Sequence, residues 1–291
     1  MVTSVTRFRD ILRADNCVAA APIFDPLSAR VAEMLGWQVS KLSGSFGKFA
    51  NLAVPDGIPL SNMSDLVDVS RRITRISDTC LIVDADEGGG NALNVLRTVR
   101  ELEAAGVCAI EIEDNLVPRT FGEAERRHSL MLSEEEQVGK LRAAVDAKRN
   151  ADTVVVARTS ALEELPRDAA MARIRAYSQT GAEALMFPAL PNGAQDLKDI
   201  ATATDLPIFV LGLDASVVAD TALLRACRVK VRYLPHLPYR TAVQAMIEAY
   251  QHLENNSDSS GFGRPQASEE RLRQLDRSHE MREWQERFVA T

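Results

Sequence analysis

Short apolar runs alternate with amphipathic stretches along almost the whole of this 291-residue chain. The runs are 18–24 (VAAAPIF), 38–43 (QVSKLS), 79–84 (TCLIVD), 108–113 (CAIEIE), 153–158 (TVVVAR), 183–187 (EALMF), 207–211 (PIFVL) and 229–234 (VKVRYL). Helical spacing fills 26–36, 64–76, 91–106, 133–149, 167–180, 194–204, 217–226 and 238–253. A strand that is apolar along its length must be covered on both faces, and crossover helices do this in a parallel sheet. Such units in succession predict a (β/α)8 TIM-type barrel, with a doubly wound open sheet as the competing arrangement. Ser133 with a glutamate three places on reads as a capping box, and Gly106 and Gly181 read as C-terminal caps.

The pattern divides the chain into a barrel over 1–254 and a linker with a helical extension over 255–291. "NNSDSSGFGRPQ" is polar and rich in Gly and Ser, as linkers are. In the extension Leu272, Leu275, Met281, Trp284 and Phe288 form a thin apolar stripe that is marginal alone. It is expected to dock on its own barrel or on a neighbouring subunit. A net charge of -7 without a dense basic run argues against nucleic acid or an anionic membrane as partner. No run approaches the roughly 20 apolar residues that span a bilayer. The N-terminus lacks the apolar centre of a secretory signal, so a cytoplasmic protein is expected. Cys17, Cys80, Cys108 and Cys227 form no CxxC pair and read as reduced core cysteines rather than a zinc site.

In a barrel, chemistry sits where the strands end. Strand 3 ends in Asp84 and Asp86, strand 4 in Glu111, Glu113 and Asp114, and strand 5 in Arg158, Thr159 and Ser160. Strand 2 runs into Ser43-Gly44-Ser45 and strand 8 into His236, while strands 6 and 7 end apolar. Residues two apart on a strand face the same way, so Asp84 with Asp86, and Glu111 with Glu113, can converge on one cavity. Acids so crowded need a positive charge between them, and a hard divalent cation such as Mg2+ or Mn2+ supplies it. The bland alternative makes some of these acids N-caps or loop solvation. The Ser-Gly-Ser turn can offer N–H groups to a carboxylate or phosphate, though such a turn is commonly only a turn. A guanidinium ending an apolar strand needs an anion, which for Arg158 is either a substrate or one of the acids. His236, stiffened by Pro235 and Pro238, can donate to a substrate carboxylate or shuttle a proton, or is a structural loop residue.

Taken in order, "FDPLSARVAEMLGW" (24–37), "LSGS" (42–45), "AVPD" (53–56), "DADEGGGNALNVLRTVRELEAAG" (84–106), "IEIED" (110–114), "VGKLRAA" (138–144) and "VVARTSA" (155–161) resemble the isocitrate lyase/phosphoenolpyruvate mutase superfamily. The resemblance implies a (β/α)8 barrel whose eighth helix is commonly swapped between subunits. It implies Mg2+ (or Mn2+), a small α-keto or dicarboxylic acid substrate, and a homodimer or homotetramer. It marks Asp86 as direct metal ligand, and Asp84 and Glu113 as acids holding metal-bound water. Gly44 and Ser45 become the carboxylate-binding turn, Arg158 the substrate-anion arginine, and Asp56 an acid near the gating loop. The carbon–carbon lyases of the superfamily carry a cysteine after the strand-4 acids. Here "NLVPRTFGEAERRHSL" (115–130) has none.

The branch most similar is that of the oxaloacetate decarboxylases, through "FDPLSAR", "GNALNVLRTVRELEAAG", "IEDNLVPRTFG", "VGKLRAA" and His236. It implies loss of CO2 from oxaloacetate to give pyruvate through a metal-stabilised enolate. The alternatives are a carbon–carbon lyase on a substituted malate or citrate-type acid, and a dicarboxylate-binding barrel with little turnover. The family pattern is not followed at Glu87 and Gly89, at Ser160, or at Pro188 and Gly212.

Overall fold

The computed structural model describes residues 3–54, 60–116 and 131–289. It is a closed parallel barrel in which each strand pairs with its neighbours in chain order and β8 returns to β1. The strands are Val18–Ile23 (β1), Val39–Leu42 (β2), Cys80–Asp84 (β3), Ala109–Glu113 (β4), Val154–Arg158 (β5), Ala184–Phe187 (β6), Ile208–Leu211 (β7) and Val229–Tyr233 (β8). Each lies within a residue or two of the run that predicted it.

The helices begin with Ser4–Arg13 (α1), Pro26–Met34 (α2), Gly44–Leu52 (α3), Met63–Thr74 (α4) and Ala92–Ala104 (α5). They continue with Glu134–Ala147 (α6), Ala161–Glu164 (α7), Arg167–Ser178 (α8), Ala194–Ala203 (α9), Ala215–Ala219 (α10) and Thr221–Ala226 (α11). The last are Leu237–Asn256 (α12), Glu269–Leu275 (α13) and Ser278–Phe288 (α14). No helix among the described residues is long and apolar enough to cross a membrane.

Strand parity sorts the core into two layers. Cys80 and Ile82 point into the barrel with Ala109, Val154, Val156, Ala184, Met186, Phe209 and Val231. Leu81 and Val83 point out, into the layer under the helices with Ile110, Ile112, Val155 and Ala157. The floor is plugged by α1, whose Val5, Phe8 and Leu12 join the inner layer. Phe8 meets Phe209 edge to face, with ring centroids 6.2 Å apart. Arg9 fastens the plug where β5 begins, donating to the carbonyls of Asp152 at 2.9 Å and Thr153 at 3.0 Å. Plugging one end leaves the other, where the strands finish, as the place for a cavity.

Several local expectations change. Ser-Gly-Ser is not a free turn, because Ser43 precedes and Gly44 opens α3. The single helix expected over 217–226 is two, since Asp220 interrupts it and its side chain caps the second by accepting from Leu223 N. Ser133 caps α6 by accepting from Glu136 N at 3.1 Å, without the reciprocal half of a capping box. Gly106 and Gly181 take left-handed φ of 83° and 91°, as glycines past helix ends do.

No residue of the 20-residue α12 is buried. Met246, Ile247, Tyr250 and Leu253 leave its apolar stripe uncovered. The extension touches the barrel through α13, where Arg30 on α2 donates to the carbonyl of Leu275 at 3.4 Å. The Met281, Trp284 and Phe288 stripe of α14 stays exposed. Removing the floor plug tests how far the barrel depends on it. Phe8→Ala is expected to cost about 3–5 kcal/mol in urea unfolding, as burying and then losing an aromatic ring generally does.

Candidate active site

Above the apolar layers the inward positions turn charged. Val39, Lys41 and Ser43 share one parity on β2, and Ile82 and Asp84 do so on β3. Glu111 and Glu113 share it on β4, Val156 and Arg158 on β5, and Val231 and Tyr233 on β8. In register, Asp84 lies beside Glu111, and Glu113 beside Arg158. The strand order therefore flanks two adjacent acid-bearing strands with a base on either side.

Arg158 ion-pairs with Asp84 and reaches Glu111 at 3.4 Å and Glu113 at 2.9 Å. Lys41 Nζ lies 2.5 Å from Glu111 and 4.0 Å from Asp84, and 5.0 Å over the ring of Tyr233. The Tyr233 hydroxyl donates to Glu111. Burial and the Glu111 charge push that phenol well up, so it stays a donor. Burial alone would raise Asp84, but Arg158, Lys41 and Lys48 outweigh it and hold the carboxyl far below the usual range. Asp86 behaves oppositely. Burial, then the charge of Asp84, raise it to about 7 against the pull of Lys48, whose Nζ lies 2.7 Å away.

The link from β3 to α5 explains the glycines after Asp86. Gly88, Gly89 and Gly90 take φ of 85°, 84° and 139°. A Cβ on them would fall 2.6–2.7 Å from Val95, Met63 or Asn94. Only glycine satisfies both demands. Asp86 itself holds a left-handed φ of 48°, and its carbonyl accepts from Glu113 N at 2.8 Å, which locks it to the end of β4. Behind the rim, buried Asp114 accepts from Thr159 Oγ1 at 2.6 Å, from Tyr177 at 2.8 Å and from Arg173 at 3.3 Å. Its carbonyl accepts from Leu132 N at 2.8 Å, and Asn115 forms an isolated antiparallel bridge with Met131.

These residues enclose a cavity of about 830 Å3 lined by Lys41, Ser45, Lys48, Asp84, Asp86, Glu87, Glu113, Arg158 and His236. Met186 and Leu211 supply its apolar wall from β6 and β7. Of the residues expected from sequence, Asp84, Asp86, Glu113, Ser45, Arg158 and His236 line one space, and Gly44 abuts Asp86. Asp56 lies outside the described residues. His236 precedes α12, and burial followed by the charge of Lys41 lowers its imidazole, which favours the uncharged ring at neutral pH. Glu87 lines the cavity, and its charge acts on Lys140, a lysine buried in α6.

Sequence reasoning missed Lys41 and Lys48. The signal was present for Lys41, which shares the inward parity of Val39 and Ser43. Nothing marked Lys48 before α3 was known to be a helix. With these cations interposed, no three ligand-type side chains among the described residues stand gathered as a ready cation site. The donors are nonetheless hard oxygens. The missing Cβ of Gly44 leaves room beside Asp86 Oδ1, and the acids outnumber the cations around them. The residues fit a small divalent cation by donor chemistry and charge.

The family model for phosphoenolpyruvate phosphomutase matches residues 8–254. An oxaloacetate decarboxylase of Paraburkholderia xenovorans is 36% identical over 288 residues, 99% of this chain and 94% of the relative. One from Rhodopseudomonas palustris is 42% identical over 240 residues, 82% and 81% of the two chains. A solved structure of phosphonopyruvate hydrolase complexed with oxalate and Mg2+ superposes with a TM-score of 0.81. It is 26% identical, and the match covers 99% of this chain and 100% of the other.

The charge network makes a pairwise prediction. Lys41→Met takes the nearest cation from buried Glu111, leaving it the Tyr233 hydroxyl and the longer Arg158 contact, and is expected to cost about 3 kcal/mol in urea unfolding. Lys41→Met with Glu111→Gln should regain most of that loss. A double variant no better than the single one would refute the coupling.

Proposed function

The chain belongs to the phosphoenolpyruvate mutase/isocitrate lyase superfamily, and from that premise we propose that it decarboxylates oxaloacetate, or a close α-keto dicarboxylic acid, to pyruvate and CO2. The observation that carries this reading is the rim of Asp84, Asp86 and Glu113 beside Arg158 and Ser45 in one cavity, in a chain so similar to oxaloacetate decarboxylases. Asp86 would hold Mg2+ or Mn2+ directly, with Asp84 and Glu113 holding its water. Bound there, the ion supplies an electron sink for the carbonyl of a β-keto acid as it loses CO2.

The protein's own groups set the orientation. Arg158 is fixed by three acids, so it presents its guanidinium to a substrate carboxylate from a rigid position. Ser45 Oγ, 3.0 Å from Ser43 Oγ, offers a hydroxyl at the N-terminal end of α3, where backbone N–H groups also favour an anion. Uncharged His236 can donate one N–H to the departing carboxylate without the strong pull of a full positive charge, which would oppose the loss of CO2. Met186 and Leu211 give that end an apolar wall, which suits the neutral product. No covalent nucleophile is required, in keeping with the absence of cysteine from 115–130.

The same reading extends to assembly. The uncovered stripes on α12 and α14 suit a second copy of the chain, giving a homodimer or homotetramer in the cytoplasm.

Two experiments test this. Purified protein with oxaloacetate and Mg2+ is expected to form pyruvate well above the spontaneous rate, to stop with EDTA, and to lose both turnover and metal binding as Asp86→Ala. A rate no faster than the uncatalysed one would sink the reading. Light scattering of the full chain is expected to give a dimer or tetramer, and of a chain ending at Asn256 a smaller species. A monomeric full chain would remove the assembly proposal.

A further inference from the structure

The helix at the cavity mouth aims two features at one carboxylate. Gly44 and Lys48 are four residues apart on α3 and so share a face. A Cβ at Gly44 would lie 2.6 Å from Asp86 Oδ1. Lys48 Nζ lies 2.7 Å from Asp86 Oδ2. One oxygen of Asp86 thus meets a lack of bulk and the other an ammonium. Asp86 is fixed in left-handed backbone, so re-aiming it is costly. Lysine is the adaptable partner, because its flexible four-carbon stem can carry the charge elsewhere.

The neighbouring cations are anchored on the barrel wall itself. Lys41 is held between Glu111 and Asp84 over the Tyr233 ring, and Arg158 spans three acids. Both belong to strands of the barrel wall. Lys48 belongs to the helix outside the wall, and its side chain lines the cavity. The side chains of the Lys48–Asp86 pair are 12% and 16% exposed, so solvent screens the attraction only weakly.

We propose that Lys48 is an internal counter-cation that closes Asp86 in the metal-free protein and must move off it before a divalent cation binds, so that this lysine sets the metal affinity of the site. The inference rests on Asp86 as a metal ligand. The exchange replaces one positive charge by two at the carboxylate. It also leaves an ammonium in the cavity, where an anionic substrate enters. The metal-free mouth is thereby stable without a metal, at the expense of weaker metal binding.

Mn2+ binding to EDTA-stripped protein tests the exchange, read by electron paramagnetic resonance and calorimetry without substrate. Lys48→Met is expected to bind Mn2+ about tenfold more tightly than wild type, which is about 1.4 kcal/mol. Lys48→Gln should behave alike, and serves if the Met variant folds poorly. Lys48→Arg, which keeps the charge, should match wild type. The stripped Met variant should also melt at a lower temperature and recover more on adding Mn2+. Equal or weaker Mn2+ affinity in the Met and Gln variants would overturn this inference while leaving the metal assignment standing. No Mn2+ binding by wild type or any variant would overturn both.

Discussion

Arg158 against Asp84, Glu111 and Glu113 is the interaction on which the upper half of this barrel depends. Strands that end in acids on adjacent positions would repel across a closed ring, and buried charge is tolerated only when paired. The fold meets this by register. The β4–β5 pairing sets Glu113 beside Arg158, and β2 raises Lys41 between Glu111 and Asp84. Tyr233 then closes the layer with a hydroxyl on Glu111. One arginine therefore holds three strand ends at fixed spacing, and the cavity above inherits that geometry.

The barrel was legible because a closed parallel sheet leaves few choices. Strands covered on both faces read as apolar runs, and each run found its strand. Period-two spacing was enough to send Asp84 and Glu113 to the same space as Arg158. What escaped the sequence was charge that looks like solvation. Lys41 sits in a four-residue strand, too short for alternation to stand out. Lys48 sits in "SFGKFAN", where a lysine just after a glycine resembles one in any surface turn. Its meaning depends on α3 beginning at Gly44, which local propensity does not announce. The charge of Glu87 acts on Lys140, more than fifty residues later in α6, and no local window connects them.

The two ends of the barrel obey different physics. The floor is apolar and closed by α1, with Phe8 against Phe209. The mouth is polar, and its order comes from ion pairs and left-handed backbone at Asp86 and the glycines after it. The two ends are thus held by different forces, and both contribute to stability. A substitution in the floor is felt through the core, whereas one at the rim is felt first through charge.

The buried Asp114 junction acts on the rim from behind. Its carboxylate accepts from Thr159, Tyr177 and Arg173, so one acid ties the residue after β5 to α8. Thr159 directly follows Arg158, and the same acid therefore steadies the strand end from which the guanidinium is aimed. A fault in a group that never lines the cavity would be felt at the rim as a misdirected charge.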